Sequence, residues 1–259
     1  MPPSPETVEV DFITPRHLAG GGDPAWITVP LHRACGWSHG NDPLMPRVIL
    51  SSPDQKALLR LEPDPDGQWW TLHHAQEPDR PAWYASFGAR TPVELIAAVT
   101  DTLTDPAPAA STPSDPYEPL RQAGWWPAHA DDGFASPDAT AFVQRTGSPE
   151  EPGAWFVTAL LGPGRPVWQA RFSEHAPPHL ITAFARALAN PKPVLRTDGL
   201  RALATSDPNI VTRNTTDVAA AYVAGALEER VRRLASRSTP SPTPLPTDRA
   251  PQANRGRAL

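Results

Sequence analysis

Residues 81–87 read Pro-Ala-Trp-Tyr-Ala-Ser-Phe, and residues 166–172 read Pro-Val-Trp-Gln-Ala-Arg-Phe. The two stretches keep Trp, Ala and Phe at alternate positions, whereas the residues between them change from Tyr and Ser to Gln and Arg. Successive side chains of a strand point to opposite faces of a sheet. The constant positions therefore predict a buried face and the variable positions a solvent face, as in a half-buried antiparallel strand that occurs twice.

The repetition extends beyond these two strands. Upstream, the first copy carries Gly36-Trp37, Ser52-Pro53-Asp54 and Trp70; the second carries Gly124-Trp125, Ser136-Pro137-Asp138 and Trp155. Downstream, TPVELIAAVTDTL in the first copy matches APPHLITAFARAL in the second. The apolar residues of these last segments recur at helical spacing, which predicts an amphipathic helix at the end of each copy.

The fold class expected from this pattern is α+β, with two tandem repeats. Each repeat is predicted to contain a short helix (about 23–35 and 116–123), three to four antiparallel strands and a C-terminal helix. Two such units would bury the most apolar surface by packing side by side as a pseudo-dimer, and one continuous curved sheet is one way to achieve this.

The predicted boundaries are 8–104 for the first repeat, 105–115 for a linker and 116–193 for the second repeat. A helical extension, 194–236, follows, with a helix from about Asp217 to Leu234. The last segment, 237–259, is rich in Pro and Arg and is predicted to be disordered because it cannot form a core.

Composition supports a globular body together with linkers and a disordered segment. The 259 residues include 35 prolines, which disfavour long helices, and nine tryptophans, which provide large core side chains. We expect Trp70, Trp83, Trp155 and Trp168 in the core. The single Cys35 excludes an intramolecular disulfide. No export signal or membrane-length apolar run is visible, so we expect a cytoplasmic protein.

Charge is distributed unevenly along the chain. The net charge is −5, yet the segment from Arg230 to Leu259 carries seven arginines and one acid. Four of these arginines, Arg230, Arg232, Arg233 and Arg237, lie in or next to the predicted last helix. Such a basic arm can neutralise nucleic-acid phosphates without a fixed fold. The alternative is a solubilising terminus.

A second candidate contact surface lies on the sheet. Trp69 alternates with Trp70 and is therefore expected on the solvent face. With Tyr84 and Arg171 it could offer aromatic and cationic contacts of the kind that stack on single-stranded bases. The alternative is that these side chains cover the seam between the two repeats.

Other motifs favour structural roles. His32, Cys35 and His39 have metal-ligand spacing, but no fourth ligand is evident and Gly36 is expected to end the helix between them. Asp64-Pro65-Asp66-Gly67 and Glu150-Glu151-Pro152-Gly153 favour hairpin turns over acid–base sites. Adjacent His73 and His74 must point to opposite faces and cannot act jointly. Gly20-Gly21-Gly22 before Asp23 lacks the lysine of a phosphate loop and is interpreted as the entry to an Asp-capped helix.

The duplicated Gly-Trp, Ser-Pro-Asp, Trp and Pro-x-Trp-x-x-x-Phe elements resemble the SPDY domain family of streptomycetes, a domain of unknown function usually present in two copies. Residues 12–23, FITPRHLAGGGD, look like the usual opening of that family. The resemblance covers about residues 8–193 and implies an actinobacterial, streptomycete source. The family motif ends in tyrosine, whereas Gln55 and Ala139 stand at that position. The resemblance implies no chemistry.

These observations favour a non-enzymatic interaction protein that binds nucleic acid through the Arg-rich arm and an open sheet face. The candidate contact residues are Arg230, Arg232, Arg233, Arg237, Trp69, Tyr84 and Arg171. The alternative is a protein–protein adaptor that uses the sheet faces and the Pro-rich tail. An enzyme ranks lowest, because no nucleophile, base and orienting group can be assembled, and no catalytic, cofactor or metal residue is assigned. We expect no membrane partner.

Overall fold

The computed structural model describes residues 6–40, 47–62, 68–105, 114–128, 133–148, 152–162, 164–197 and 203–238. In chain order its elements are β1 (Thr7–Thr14), a 3-10 turn (Arg16–Leu18), α1 (Ala25–Cys35), β2 (Ser38–Gly40), β3 (Val48–Ser51), β4 (Ala57–Leu61), β5 (Gln68–His74), β6 (Trp83–Gly88), α2 (Val93–Leu103), α3 (Glu118–Gln122), β7 (Trp126–Pro127), β8 (Gly133–Ala135), β9 (Ala141–Gly147), β10 (Pro152–Leu160), β11 (Pro166–Phe172), α4 (Pro178–Leu188), β12 (Val194–Arg196), β13 (Thr212–Ala219) and α5 (Ala220–Ser238). The α+β class is confirmed.

Both repeats contribute to one ten-stranded antiparallel sheet. The strand order is β2-β3-β4-β5-β6-β11-β10-β9-β8-β7, so the two repeats meet where β6 pairs with β11. Each predicted repeat supplies five strands, which corrects the expected three to four. The extra strands, β2 and β7, contain three and two residues and are too short to show alternation in the sequence.

Four helices cover one face of this sheet. Phe184 of α4 packs against Phe87 and Phe172 of the two central strands, with ring centroids 5.8 and 5.4 Å apart. Helices α1 and α2 contact each other over the first repeat, and α2 contacts α4 across the middle. Trp70, Trp83, Trp155 and Trp168 are all at most 6 % exposed on the covered face, as the alternation predicts.

Each Ser-Pro-Asp element forms the same turn. The Ser52 hydroxyl donates to Asp54 Oδ1 at 2.6 Å and accepts from the Ala57 amide at 2.8 Å. Ser136 makes the equivalent bonds to Asp138 and from Ala141. The following residues, Gln55 and Ala139, have φ angles of 60° and 55°, in the left-handed region. The position where the family has tyrosine is thus a turn position with positive φ.

A second, smaller sheet joins the two ends of the described chain. Strand β1 lies between β12 and β13, with Phe12 opposite both Leu195 and Asn214. The sequence pattern did not predict these strands, and the extension at 194–236 was expected to be helical. That expectation was wrong for β12 and β13, because β13 is polar and exposed along nearly its whole length and shows no apolar alternation.

Two buried arginines attach the C-terminal extension to α2. Arg196 makes a bidentate ion pair with Glu94, at 2.6 and 2.9 Å, and donates to the carbonyls of Ala19 and Gly20. Arg230 makes a bidentate pair with Asp101, at 2.6 and 2.8 Å. Helix α5 therefore packs outside α1 and α2, on the helical side of the sheet.

Helix α5 begins at Ala220, three residues later than predicted, because Asp217 belongs to β13. Of the predicted linker and tail, residues 106–113 and 239–259 lie outside the described residues. No helix of the described ranges is long and apolar enough to cross a bilayer.

Candidate functional site

The face of the large sheet opposite the helices is the first candidate site, and we call it the open face. Its residues alternate with the buried ones on seven strands and are half-buried or exposed. They are Ile49 and Ser51 of β3, Leu58 and Arg60 of β4, Trp69, Thr71 and His73 of β5, Tyr84 and Ser86 of β6, Gln169 and Arg171 of β11, Phe156 and Thr158 of β10, and Phe142 and Gln144 of β9.

Four side chains form a continuous row across the centre of the open face. The His73 ring stacks on the Tyr84 ring with centroids 6.1 Å apart. The Arg171 guanidinium lies 5.5 Å from the Tyr84 centroid and 5.5 Å from the Phe156 centroid. The row therefore spans β5, β6, β11 and β10 and crosses the seam between the repeats.

None of the positions of the open face given above carries a carboxylate, although the chain as a whole has a net charge of −5. Glu62, which continues the alternation of Leu58 and Arg60 and whose amide donates to the Trp69 carbonyl, brings one carboxylate to the edge of the face. The basic side chains of the open face at these positions are Arg60, His73 and Arg171. Burial, together with the nearby Arg60 charge, lowers the pKa of His73, so this ring is neutral at pH 7. The surface is thus aromatic and cationic, and it can contact anions or π-systems.

Trp69 lies on β5, beside the row. It is 37 % exposed, whereas its neighbour Trp70 is 2 % exposed, as the alternation predicts. The pairing of β5 with β6 shifts register between Gln68 and Trp70, so Trp69 occupies a bulge. A bulge at this point turns the indole out of the regular pleat and leaves it accessible.

The structure separates the α5 arginines from the open face. Arg230 is 4 % exposed; its Nε donates to the Trp26 carbonyl at 2.7 Å, and its guanidinium lies over the Trp26 ring. Because Arg230 is buried, the expectation that it contacts a partner is corrected. Arg232, Arg233 and Arg237 are exposed on α5, behind the helical layer. Arg249, Arg255 and Arg257 lie outside the described residues.

Sequence reasoning brought Tyr84 and Arg171 together correctly but missed Phe156 and Arg60. Phe156 follows Trp155 as Thr71 follows Trp70, so the alternation that selected Trp69 could have placed it on the open face. Its contact with Arg171 depends on the pairing of β10 with β11, where these two residues lie opposite each other. The sequence does not contain that register.

The remaining candidates have structural contacts. His32 Nδ1 lies 2.8 Å from the Trp37 carbonyl, and no group of three His, Cys, Asp or Glu side chains within the described ranges could hold a metal ion. The His74 ring stacks on buried Trp83, on the face opposite His73. Residues 63–67 and 149–151, which include both acidic pairs, lie outside the described residues.

The glycine run is packed against the start of α2. The Gly21 carbonyl accepts the Val93 amide at 2.8 Å, and a Cβ at Gly21 would lie 2.8 Å from the Ala89 carbonyl oxygen. Asp23 Oδ1 accepts the Ala25 amide at 2.8 Å, but the N-cap position of α1 is Pro24 rather than the predicted Asp23.

Comparison with known families fits this duplicated architecture. The sequence model of the SPDY family, described as a domain of unknown function (DUF317), matches residues 51–109 and again residues 135–194. The chain carries two SPDY domains. Each match begins next to a Ser-Pro-Asp turn and includes the closing helix of its repeat. No curated protein and no solved structure matches the chain.

The two SPDY domains of this chain share the ten-stranded sheet, with β3–β6 from one and β8–β11 from the other lying within or overlapping the matched segments. The row of His73, Tyr84, Arg171 and Phe156 therefore takes two residues from each domain. A contact surface of this composition exists only when both SPDY domains are present.

Proposed function

We propose that this tandem SPDY protein is a non-enzymatic, cytoplasmic protein that binds single-stranded nucleic acid on the open face of its sheet. The observation that carries the proposal is the Arg171 guanidinium between the Tyr84 and Phe156 rings. Bases stack on aromatic rings and on guanidinium planes, whereas phosphates pair with the arginine charge.

The charge of the open face supports an anionic ligand. An acidic protein repels phosphates over most of its surface, so the centre of the open face, where Arg60 and Arg171 lie and none of the described positions named above is acidic, is a local exception. Trp69 extends the aromatic surface along β5. A sheet face is also wide enough to hold several unstacked bases in a row, which duplex DNA does not present.

In this proposal the α5 arginines form a separate electrostatic contact. Arg232, Arg233 and Arg237, continued by the three arginines beyond residue 238, would attract phosphates without reading bases. Because the helical layer lies between α5 and the open face, the arm would increase affinity uniformly and would leave any preference for single strands unchanged.

The direct test is fluorescence anisotropy with labelled single-stranded and duplex oligonucleotides over a range of salt concentrations. Tyr84→Ala and Arg171→Ala should each weaken single-strand binding by about 5- to 150-fold, since stacking contributes roughly 1 to 3 kcal/mol per base. Matched controls are Tyr222→Ala and Arg186→Ala, an exposed tyrosine on α5 and an exposed arginine on α4.

The second part of the test removes residues 239–259. The truncated chain should bind more weakly and with a shallower dependence on salt, yet Tyr84→Ala should still reduce its affinity. Equal losses for Tyr84→Ala and Tyr222→Ala would rule out the open face. A flat titration at low salt would rule out nucleic acid altogether.

A protein–protein adaptor is the second candidate, and one observation favours it. Ile49, Leu58 and Phe142 are half-buried on the open face, at either side of the central row. Apolar side chains of this kind suit a protein partner better than a phosphate backbone. If oligonucleotides fail to bind, recovery of a partner from native cytoplasm that is lost in Leu58→Glu would support the adaptor.

We also propose that the two repeats form a pseudo-dimer. Equivalent strands pair at the seam, and equivalent helices, α2 and α4, pack beside them. This arrangement would present similar halves of the open face to successive segments of one strand of nucleic acid.

A further inference from the structure

A cleft of about 220 Å³ lies away from the open face, where the N-terminal segment crosses the second SPDY domain. Its walls come from three places: residues 14–17, the turn Ser136-Pro137-Asp138 with Ala123 and Trp125, and residues 188–191 at the C-terminal end of α4. The volume is that of a small organic molecule rather than of a polymer.

His17 closes one side of the cleft. It is 4 % exposed, and its Nε2 lies 2.6 Å from Thr140 Oγ1 and 3.6 Å from Asp138 Oδ2. The Trp168 indole donates to the His17 carbonyl at 2.7 Å. Burial lowers the pKa of His17 to about 4, although Asp138 opposes this. The imidazole is therefore neutral at pH 7.

Asp138 supplies the carboxylate of the cleft. Burial would raise its pKa, but hydrogen bonds from Ser136 and Thr140 together with His17 bring the net pKa below the usual value, so the group is ionised. Its side chain is 38 % exposed, and the basic side chain that lies near it in the described chain is His17, which is neutral. A negative charge thus lines the cleft.

Two further features of the wall favour a cation. Leu188 and Ala189 lie at the C-terminal end of α4, where the helix dipole is negative. Trp125 lines the cleft and offers an aromatic ring, and such rings attract ammonium groups. Pro15, Pro137 and Pro191 add apolar surface for the body of a ligand.

Among the described residues that line the cleft, Arg16 carries the opposing charge. Its Nη2 donates to the Lys192 carbonyl at 3.3 Å, whereas its Nε is buried without a hydrogen-bond partner in the described part of the chain. Burial lowers the pKa of Arg16, Glu94 raises it and the Arg196 charge lowers it again. Asp138, whose side chain is 38 % exposed beside the C-terminal end of α4, is the group that could receive a cation, and Arg16 opposes it.

We propose that this cleft binds a small organic ammonium compound, with the ammonium group at Asp138 and the apolar body against Trp125 and the prolines. The inference does not depend on nucleic-acid binding, since none of these residues belongs to the open face.

The test uses three molecules of one size and shape: phenethylamine, 2-phenylethanol and phenylacetate. Binding to the full chain is followed by isothermal titration calorimetry, with amide chemical shifts to locate the ligand. Only the amine should bind with shifts at His17 and Asp138. Equal binding of the alcohol, or stronger binding of the acid, would overturn the proposal, as would shifts confined to other residues.

The first repeat provides a matched control variant. Asp54 accepts the same turn hydrogen bonds, from Ser52 and from the Lys56 amide, but it does not line the cleft. Asp138→Asn should weaken amine binding about tenfold or more, whereas Asp54→Asn should leave it unchanged. Arg16→Gln should strengthen it by removing the opposing charge. If Asp138→Asn fails to fold, the Arg16→Gln variant and the three-ligand series still test the proposal. An Arg16→Gln variant that does not bind the amine more tightly would count against it.

Discussion

Ser86 and Arg171 lie directly opposite each other at the seam, and they occupy the same position of the two repeats, 85 residues apart. Around this pair Ala85 faces Phe172, the counterpart of Phe87, and Phe87 faces Ala170, the counterpart of Ala85. This pairing of a strand with its own copy about one central pair is the basis of the proposed pseudo-dimer. Here a single chain supplies both copies.

Substitutions at the seam, where β6 pairs with β11, should lower the stability of both repeats together. Phe172 is fully buried and packs edge-on against Phe87, with centroids 5.7 Å apart. Phe172→Ala should lower the free energy of unfolding by about 3 to 5 kcal/mol because it leaves a cavity. Urea unfolding should show one shared transition at a lower midpoint. Phe156→Ala, on the open face, should cost only about 1 kcal/mol. Two separated transitions in the parent protein would contradict this coupling.

The ion pair of Arg230 with Asp101 should anchor α5. Arg230→Ala leaves the Asp101 carboxylate, 17 % exposed, without its counterion. We expect a loss of about 3 kcal/mol in the free energy of unfolding, by urea denaturation. Arg233→Ala, exposed one turn away, should change it by less than about 0.5 kcal/mol. The double change Arg230→Met with Asp101→Leu should cost less than the two single changes added together; an additive result would show that the pair does not act as a unit.

Buried His17 should make stability depend on pH. Its pKa is about 4 in the folded chain and 6.5 in the unfolded chain, so the unfolded chain binds the proton more tightly between these values. The free energy of unfolding should be fully retained above pH 6.5 and should fall as the pH is lowered toward 4, by up to about 3 kcal/mol.

The measurement for His17 is urea unfolding between pH 7.5 and 4.5. In His17→Gln, which can keep a hydrogen bond to Thr140, the fall between pH 6.5 and 4.5 should be much smaller. His39→Gln, on exposed β2, serves as the control and should keep the dependence of the parent protein. An unchanged slope in His17→Gln would show that other groups produce the effect.

The second Ser-Pro-Asp turn can be tested at Ala139, whose φ of 55° is unfavourable for a residue with a side chain. Ala139→Gly should raise the melting temperature, with a gain of about 0.5 to 1 kcal/mol, because glycine adopts this conformation without strain. Ala139→Val should lower it by about 1 to 2 kcal/mol, since branching at Cβ worsens the clash. A destabilised glycine variant would mean that strain at Ala139 is negligible.

The sequence predicted those parts of the fold that repeat and alternate. The buried tryptophans, the two closing helices and the exposed side of Trp69 all follow from local spacing within one element, which a single copy displays and a second copy checks. Strands β1, β12 and β13 were not predicted because the paired residues are about 180 to 210 positions apart in the sequence. In addition, β13 lies at an exposed edge and is polar along nearly its whole length, so it shows no apolar alternation.

The candidate sites show the same division. Tyr84 and Arg171 could be chosen from alternation alone, but their contact and that of Arg171 with Phe156 require the register of three strands. Arg230 illustrates the opposite error. Its place in a basic segment predicted that it would contact a partner, yet it is buried and bonded to two residues distant in the sequence, Asp101 and Trp26. Charge composition does not reveal which arginines are already paired.

By itself the sequence determined that two like units exist, which of their faces is buried, and that they carry the SPDY pattern, because periodicity and duplication are local properties of the chain. Only the tertiary structure decided that the units share one sheet, that ion pairs join the C-terminal extension to α2, and that His17 lies beside Asp138. These relationships join residues that are 85 to more than 100 positions apart, and their geometry arises from the packing of the whole domain rather than from any segment of it.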